Sequence, residues 1–68
     1  MFLNRFKKEY TLQGAVQFHE GKPIIAGSSI KWFDEVKVKA LTYNKAVDIA
    51  LQMFDFKYPE YKGFFEIW

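Results

Sequence analysis

The chain has 68 residues, with ten basic and eight acidic side chains, a formal net charge of +2 and no cysteine. This length predicts one small domain over residues 1–68. The near balance of charge is too weak to indicate a nucleic-acid or membrane-surface partner from totals alone. Without cysteine there is no disulfide and no thiolate ligand, and one histidine cannot build a metal site alone, so we expect neither metal nor cofactor.

Aromatic residues are the unusual part of the composition. Two Trp, four Tyr and eight Phe bring the aromatic share to 21% of the chain. Because a small domain without disulfides needs another source of stability, this share predicts a ring-rich core, or such a core together with an aromatic binding surface. The first eight residues lack an uninterrupted apolar stretch, so we expect no signal peptide or membrane span and a soluble, cytoplasmic protein.

The N-terminal half predicts a β-hairpin followed by a third strand. In the predicted strand from residue 8 to residue 18, every second position from Tyr10 onwards is apolar or glycine. These residues, which share one face of the strand, are Tyr10, Leu12, Gly14, Val16 and Phe18. Gly21 and Pro23 then supply turn chemistry, and a short second strand is predicted from Ile24. Residues 27–29 interrupt it with a turn or bulge.

Residues 30–41 alternate as a strand whose apolar side is broken by Asp34. One interpretation is a single bent strand, in which a bulge near Phe33 and Asp34 turns the carboxylate to solvent. The other is a turn at Asp34 and Glu35 followed by a separate strand. Two residues without Gly or Pro make a poor hairpin turn, which favours the bent strand. Continuous alternation then directs Trp32 into the core and Phe33 outwards.

The hydrophobic period changes from strand-like to helical at Thr42, which is placed to cap the N-terminus of a helix. We expect the helix to run from Tyr43 to Phe56 and to end by Lys57, since Pro59 disfavours helical backbone before it. Residues 61–68 predict a last strand. The predicted fold is therefore β-β-β-α-β, a small antiparallel sheet of three to four strands with one amphipathic helix on one face. The expected core comprises Val16, Phe18, Trp32, Val36, Val38, Ala46, Ile49, Ala50 and Met53.

Catalytic residue types are present but lie in no motif. They are His19, Ser28, Ser29 and Asp34 as components of a triad, and the carboxylate pairs Asp34 with Glu35 and Asp48 with Asp55. No nucleophile elbow, phosphate-binding glycine run or zinc-binding helix motif accompanies them. We therefore expect a non-enzymatic protein, with His19 and the serines as ordinary turn and surface residues.

Nucleic-acid binding is the alternative hypothesis. On the predicted register, the outward face of the third strand carries Lys31, Phe33, Lys37 and Lys39, which together suit phosphate and a base. Glu35 on the same face and the single arginine of the chain argue against it. Solvated lysines that discourage edge pairing account for the same pattern.

Protein binding is the favoured hypothesis, because the chain has more rings than one helix-covered face needs. The predicted partner surface comprises Phe33, Tyr58, Tyr61, Phe64 and Trp68, flanked by Lys31 and Lys62. It would bind a larger protein or a second copy of the chain. The alternative is that Phe2, Leu3 and Phe6 cover the second face of the sheet. By analogy, a short cysteine-free chain without a catalytic motif is typical of viral inhibitors that phages and mobile elements direct at a host protein.

Overall fold

The computed structural model describes residues 7–68. The predicted α+β class is confirmed: a four-stranded antiparallel sheet carries one helix. The elements, in chain order, are β1 (Lys8–His19), β2 (Lys22–Ile24), β3 (Ser29–Ala40), α1 (Tyr43–Lys57), a 3₁₀-helix (Pro59–Tyr61) and β4 (Phe65–Ile67). Phe2, Leu3 and Phe6 lie outside the described residues, so their predicted role in covering the sheet stays a prediction.

Strand β1 is the centre of the sheet. It pairs with β3 along almost its whole length on one side, while β2 and β4 share its other side. The hairpin between β1 and β2 turns at Glu20 and Gly21, which have φ angles of 52° and 77°. Two successive positive φ values match the right-handed twist of a two-residue hairpin, and the predicted hairpin is confirmed.

The segment between β2 and β3 crosses β1, because these two strands lie on opposite sides of it. The Ser28 N–H donates to the Phe18 carbonyl at 2.9 Å. At Gly27 the two backbones come so close that a Cβ atom would overlap the backbone of Phe18. The glycine predicted to mark a turn or bulge therefore permits a close crossing of two chain segments.

A β-bulge divides β3 into two halves. Gln13 pairs with Glu35 and Ala15 pairs with Trp32, so that Gly14 alone faces the two residues between them, Phe33 and Asp34. The single bent strand is thus confirmed, and Asp34 is exposed as predicted. The extra residue also inverts the alternation of the strand before the bulge.

That inversion overturns two predicted orientations. Phe33 turns towards the helix and packs against the core, whereas Trp32 faces away from it with 50% of its surface exposed. The predicted core position of Trp32 and the predicted outward position of Phe33 are therefore wrong. A strand pattern that is read through a bulge places every residue beyond it on the opposite face.

Helix α1 begins where the sequence predicts. The Thr42 hydroxyl accepts a hydrogen bond from the Lys45 N–H at 3.2 Å, which confirms the N-cap. Ala46 and Ala50 are fully buried and let the helix lie close to the sheet. Ile49 and Met53 remain 40% and 44% exposed, so their predicted place in the core is wrong. Because the helix contacts the sheet mainly through small residues, only a narrow strip of its surface is buried. The side chains on either side of that strip remain in solvent.

The core is centred on two stacked rings, Phe54 of α1 and Phe65 of β4, with centroids 5.1 Å apart. Gly14 lies beneath Phe54, and a Cβ atom there would come within 2.7 Å of the ring. The buried residues of the main cluster are Leu12, Val16, Val38, Ala40, Ala46, Ala50, Phe54 and Phe65. Phe18 and Val36, two further members of the predicted core, are partly buried against it.

The last strand is shorter than predicted. Tyr61 belongs to the 3₁₀-helix that starts at Pro59, and Gly63 has a φ of 88°, so residues 61–64 turn the chain before β4 begins at Phe65. The proline and the glycine therefore shape a tight connection from α1 back into the sheet.

Candidate binding surface on the open face of the sheet

Three of the rings predicted to bind a partner, Phe33, Tyr58 and Tyr61, lie together with Phe65 near the C-terminal end of α1. The Phe33 ring is the hub, with centroid distances of 4.8 Å to Tyr58, 5.6 Å to Tyr61 and 5.0 Å to Phe65. Phe64 is also partly buried against the core. These rings contact one another largely edge to face, which is the arrangement of a packed aromatic core. Trp68, the fifth ring of the set, lies apart from them on the other face of the sheet.

The two lysines assigned to that surface differ in their surroundings. Lys31 faces the ring cluster, with its ammonium 5.2 Å from the Phe33 centroid and 6.0 Å from that of Tyr61. This geometry fits a cation–π contact that keeps the charge at the surface. Lys62 is exposed and lines a shallow cleft with Asp55 and Phe56.

The four residues of the predicted nucleic-acid face do not share one face. Lys37 pairs with Thr11 on the side away from the helix, and Lys39 follows two residues later on the same side. Lys31 pairs with the buried Val16 on the helix side. The extra residue of the bulge puts Lys31 and Phe33 on the helix side of the sheet and leaves Lys37 and Lys39 on the other side. The predicted grouping of these four residues on one face is therefore wrong.

Asp34 is engaged in an exposed polar cluster. Its Oδ2 accepts hydrogen bonds from Lys57 Nζ at 2.7 Å and from Tyr58 Oη at 3.1 Å. Hydrogen bonds to Lys57 and Tyr58 lower the pKa of Asp34, and the bond to Asp34 raises the pKa of Lys57. The cluster ties the bulge of β3 to the end of α1.

The residue types that a catalytic triad would need do not come together in the structure. His19 lies five residues along β1 from Gly14, which faces the bulge, so roughly 17 Å of strand separates it from Asp34. Ser28 and Ser29 engage the Phe18 carbonyl through a backbone N–H and a hydroxyl. Within residues 7–68, no three His, Asp or Glu side chains come together as metal ligands.

The face of the sheet away from α1 carries the exposed apolar residues. Gly14 has its missing Cβ directed at Phe54 of the helix, so the next residue, Ala15, points to the opposite face. Trp32 and Glu66 pair directly with Ala15 from either side and therefore share this open face.

Two indole rings meet above β1. Trp32 comes from β3, and Trp68 follows β4, where its backbone exchanges hydrogen bonds of 2.9 and 3.1 Å with Gln13. Their ring centroids are 6.0 Å apart with an interplanar angle of 65°. Ala15 lies between the two attachment points and is fully buried, because its small methyl group lets the rings close over it. The indoles themselves remain 50% and 60% exposed.

Polar side chains beside the indoles are held by bonds within the chain. Gln17 accepts from the Gly27 N–H at 2.9 Å and donates to the Glu66 carboxylate at 2.6 Å. Gln13 donates to the Phe33 carbonyl at 3.2 Å. A partner at this surface therefore need not supply hydrogen bonds to these groups.

Isoleucines extend the apolar surface along the sheet. Ile30 of β3 and Ile24 of β2 both pair with Gln17, from opposite sides, and each is about two-fifths exposed. We call this set, Ile24, Ile30, Trp32 and Trp68, the tryptophan surface. Sequence reasoning named only Trp68 of the four. The signal that identifies Trp32 and Ile30 is the bulge itself, since inverting the alternation before it moves both residues to the open face.

Comparison with known proteins adds no family: no protein-family model, curated protein or solved structure is detectably similar to this chain. In the described part of the chain, no helix has the length and apolar character needed to cross a lipid bilayer. A functional interpretation therefore rests on the geometry of the surface.

Proposed function

We propose that this chain is a small, non-enzymatic protein-binding module that uses the tryptophan surface. The observation that carries the proposal is the pair of contacting indoles, half or more exposed, on a sheet face that no other described element covers. Small soluble domains seldom leave two adjacent tryptophans in water without a partner.

The chemistry of the surface suits a protein partner. Tryptophan supplies a large apolar area and one N–H donor with little rotamer entropy to lose, which makes it a frequent anchor of binding energy. Ile24 and Ile30 add apolar area beside the indoles, and the charged residues Glu35 and Lys37 lie further along the same face. An apolar centre with a charged border is typical of protein interfaces.

Nucleic-acid binding stays the second candidate, in a form that the bulge alters. Exposed rings on a sheet face together with Lys37 and Lys39 resemble a stacking platform for single-stranded bases. Two carboxylates, Glu35 and Glu66, occupy the same face and would repel phosphate. We therefore place protein binding first.

The finer proposal, an inhibitor that blocks the activity of a host protein, follows from size and from the analogy drawn above. A rigid sheet that presents two anchored indoles suits occlusion of an apolar cleft on a larger protein. Adding the purified chain to the captured partner and measuring that partner's activity tests this step.

The decisive experiment is a quantitative affinity capture with three matched baits. Trp32→Ala and Trp68→Ala each remove an anchor, whereas Tyr43→Ala removes a ring of comparable exposure, 49%, that contacts Tyr10 elsewhere. We expect a partner that wild type and Tyr43→Ala retain and that both tryptophan variants lose. If both tryptophan variants capture the partner as well as wild type does, the assignment of the surface is refuted.

Intrinsic fluorescence then distinguishes the two classes of partner. The chain has two tryptophans, and both belong to this surface, so the tryptophan emission of the chain reports on it. We expect the captured protein to shift that emission, and oligonucleotides to leave it unchanged. Salt-sensitive quenching by single-stranded oligonucleotides would replace the protein-binding proposal with the nucleic-acid one.

A further inference from the structure

Strand β3 forms one edge of the sheet. Of the described residues, only those of β1 pair with it, so along 12 residues the N–H and C=O groups that point away from β1 have no strand beside them. The bulge at Phe33 and Asp34 disrupts the first half of that edge. From Glu35 to Ala40 the strand is regular, and a regular free edge is a template for a further strand.

The flank of α1 above this edge is apolar. Ile49, Met53 and Phe56 follow each other at helical spacing on one side of the helix and are 40%, 44% and 90% exposed. The opposite flank carries Asp55, whose carboxylate accepts the Gly63 N–H at 3.3 Å just before β4. Since β4 and β3 lie on opposite sides of β1, the apolar flank lies on the β3 side.

We propose that a second copy of this chain occupies the edge, with the two β3 strands antiparallel about a two-fold axis that passes midway between the two Val36 residues. The two sheets then form one continuous sheet with both helices on the same side. The apolar flanks of the helices face each other across the axis, and each carries the highly exposed Phe56. This two-fold pairing covers the free β3 edge of both chains at once.

Charge complementarity selects this register. With Val36 opposite its copy, Glu35 of each chain lies opposite Lys37 of the other, which gives two opposite-charge pairs on the open face. Within its own chain Glu35 pairs with Gln13 and Lys37 with Thr11, and neither makes an ion pair among the described residues. Their charges are therefore available to a second copy.

The neighbouring registers are less favourable. Facing residues of an antiparallel strand pair lie on the same face of the sheet. Two positions of β3 can therefore face each other across the axis only if an even number of positions separates them. The nearest alternative registers thus move the axis by one whole residue along β3. An axis through Lys37 places that lysine opposite its own copy. An axis between the two Glu35 residues likewise places that carboxylate opposite its own copy.

This interface adjoins the tryptophan surface, because β3 carries Ile30 and Trp32 on its open face while its backbone edge would pair with the second copy. The dimer proposal does not rest on the proposed function, and either holds without the other.

Analytical ultracentrifugation over a wide concentration range, at low salt, tests the proposal with a charge swap. We expect wild type to dimerise reversibly and Glu35→Lys or Lys37→Glu alone to weaken the dimer roughly tenfold or more, because attraction becomes repulsion twice. The double variant Glu35→Lys with Lys37→Glu restores both pairs and should restore dimerisation. At a concentration where wild type is monomeric, the melting curves of all three variants should remain close to that of wild type, since both side chains are exposed.

Cysteine cross-linking tests the register, because the chain has no other cysteine. Val36→Cys places the two thiols opposite each other, so mild oxidation should give a covalent dimer. The matched control Lys39→Cys sets them roughly 20 Å apart along the strands and should give none. Phe56→Asp should weaken the dimer without unfolding the chain. The proposal would be overturned if wild type is a monomer at every concentration. It would also be overturned if neither the charge variants nor Phe56→Asp weaken the dimer, or if Val36→Cys and Lys39→Cys cross-link equally.

Discussion

The two faces of the sheet carry rings in opposite states of packing. On the covered face, Phe65 contacts both Phe33 of β3 and Phe54 of α1, and it retains 8% of its surface in water. On the open face, Trp32 and Trp68 contact each other but keep half or more of their surface exposed. The difference shows that ring content alone does not identify a binding surface, because the same residue class builds the core on one side.

The bulge in β3 decides which ring belongs to which face. Phe33 and Trp32 are neighbours in the sequence, and one extra residue sends the first into the aromatic cluster and the second to the open face. Gly14 faces this bulge and also leaves room for Phe54. The close packing of one face and the exposed indole of the other therefore share a single local cause.

The largest expected effect breaks the covered face. Ala50 is fully buried between α1 and the sheet, so Ala50→Asp places an unpaired carboxylate there and should unfold the domain. Gln52→Asp, on the exposed side of the same helix, is the matched control and should leave the circular-dichroism melt near that of wild type. A cooperative, unshifted melt for Ala50→Asp would refute the packing described here.

A pair of ring deletions measures the contrast between the faces directly. Phe65→Ala removes a buried, stacked ring and should cost about 3–5 kcal/mol of unfolding free energy. Trp68→Ala removes a largely exposed ring and should cost about 1 kcal/mol, mainly its contact with Trp32. Urea denaturation of both variants gives the comparison, and equal losses would mean that Trp68 is a core residue.

A smaller effect is expected at the start of the helix that covers the sheet. Thr42→Ala removes the acceptor of the Lys45 N–H and should cost about 1 kcal/mol. In a domain of this size that loss lowers the melting temperature by about 4–8 °C. Thr42→Ser keeps the hydroxyl and should melt close to wild type. An identical melt for the alanine variant would mean that the hydroxyl contributes nothing to the helix.

The smallest effect concerns the ion pair between Asp34 and Lys57 at the bulge. The pKa of Asp34 is lowered, so its contribution is present above the ordinary carboxyl value of 3.8 and is lost as pH falls through the folded pKa. The pKa of Lys57 is raised, so its contribution is present below 10.5 and is lost as pH rises through the folded value. The difference in melting temperature between wild type and Asp34→Asn should be small, largest between about pH 5 and 9, and reduced by salt. A difference that does not vary with pH would exclude the pair as its source.

Much of the fold follows from local pattern. The alternation along β1, the turn at Gly21, the cap at Thr42 and the end of α1 before Pro59 each depend on a few neighbouring residues, and the structure confirms all four. The bulge also followed, because a carboxylate interrupting an apolar strand face has few other outcomes. A bulge inverts the alternation of the residues before it, so continuous alternation predicts the wrong face for both Trp32 and Phe33.

The candidate site was far less predictable. Residues Tyr58, Tyr61 and Phe64 look like surplus rings in the sequence, yet the 3₁₀-helix and the turn at Gly63 fold them back beneath α1. Ile24 and Ile30 are far apart in the chain from Trp68, and only the pairing of three strands with β1 brings them onto one face. Membership of a surface depends on strand order, which alternation within one strand does not specify.

The sequence by itself determined the four strands and the α-helix of this protein, their order and their boundaries to within a few residues, but not the 3₁₀-helix at Pro59–Tyr61. Helix caps, turns and periodicity act over short distances along the chain, which is why they can be read from it. Only the tertiary structure decided which rings are buried and which are exposed. That choice depends on where β4 docks against β1, on the narrow arc through which α1 meets the sheet and on the register shift at Gly14. Each of these is a contact between residues that are distant in sequence. Which of these contacts form depends on how the whole domain buries its apolar surface.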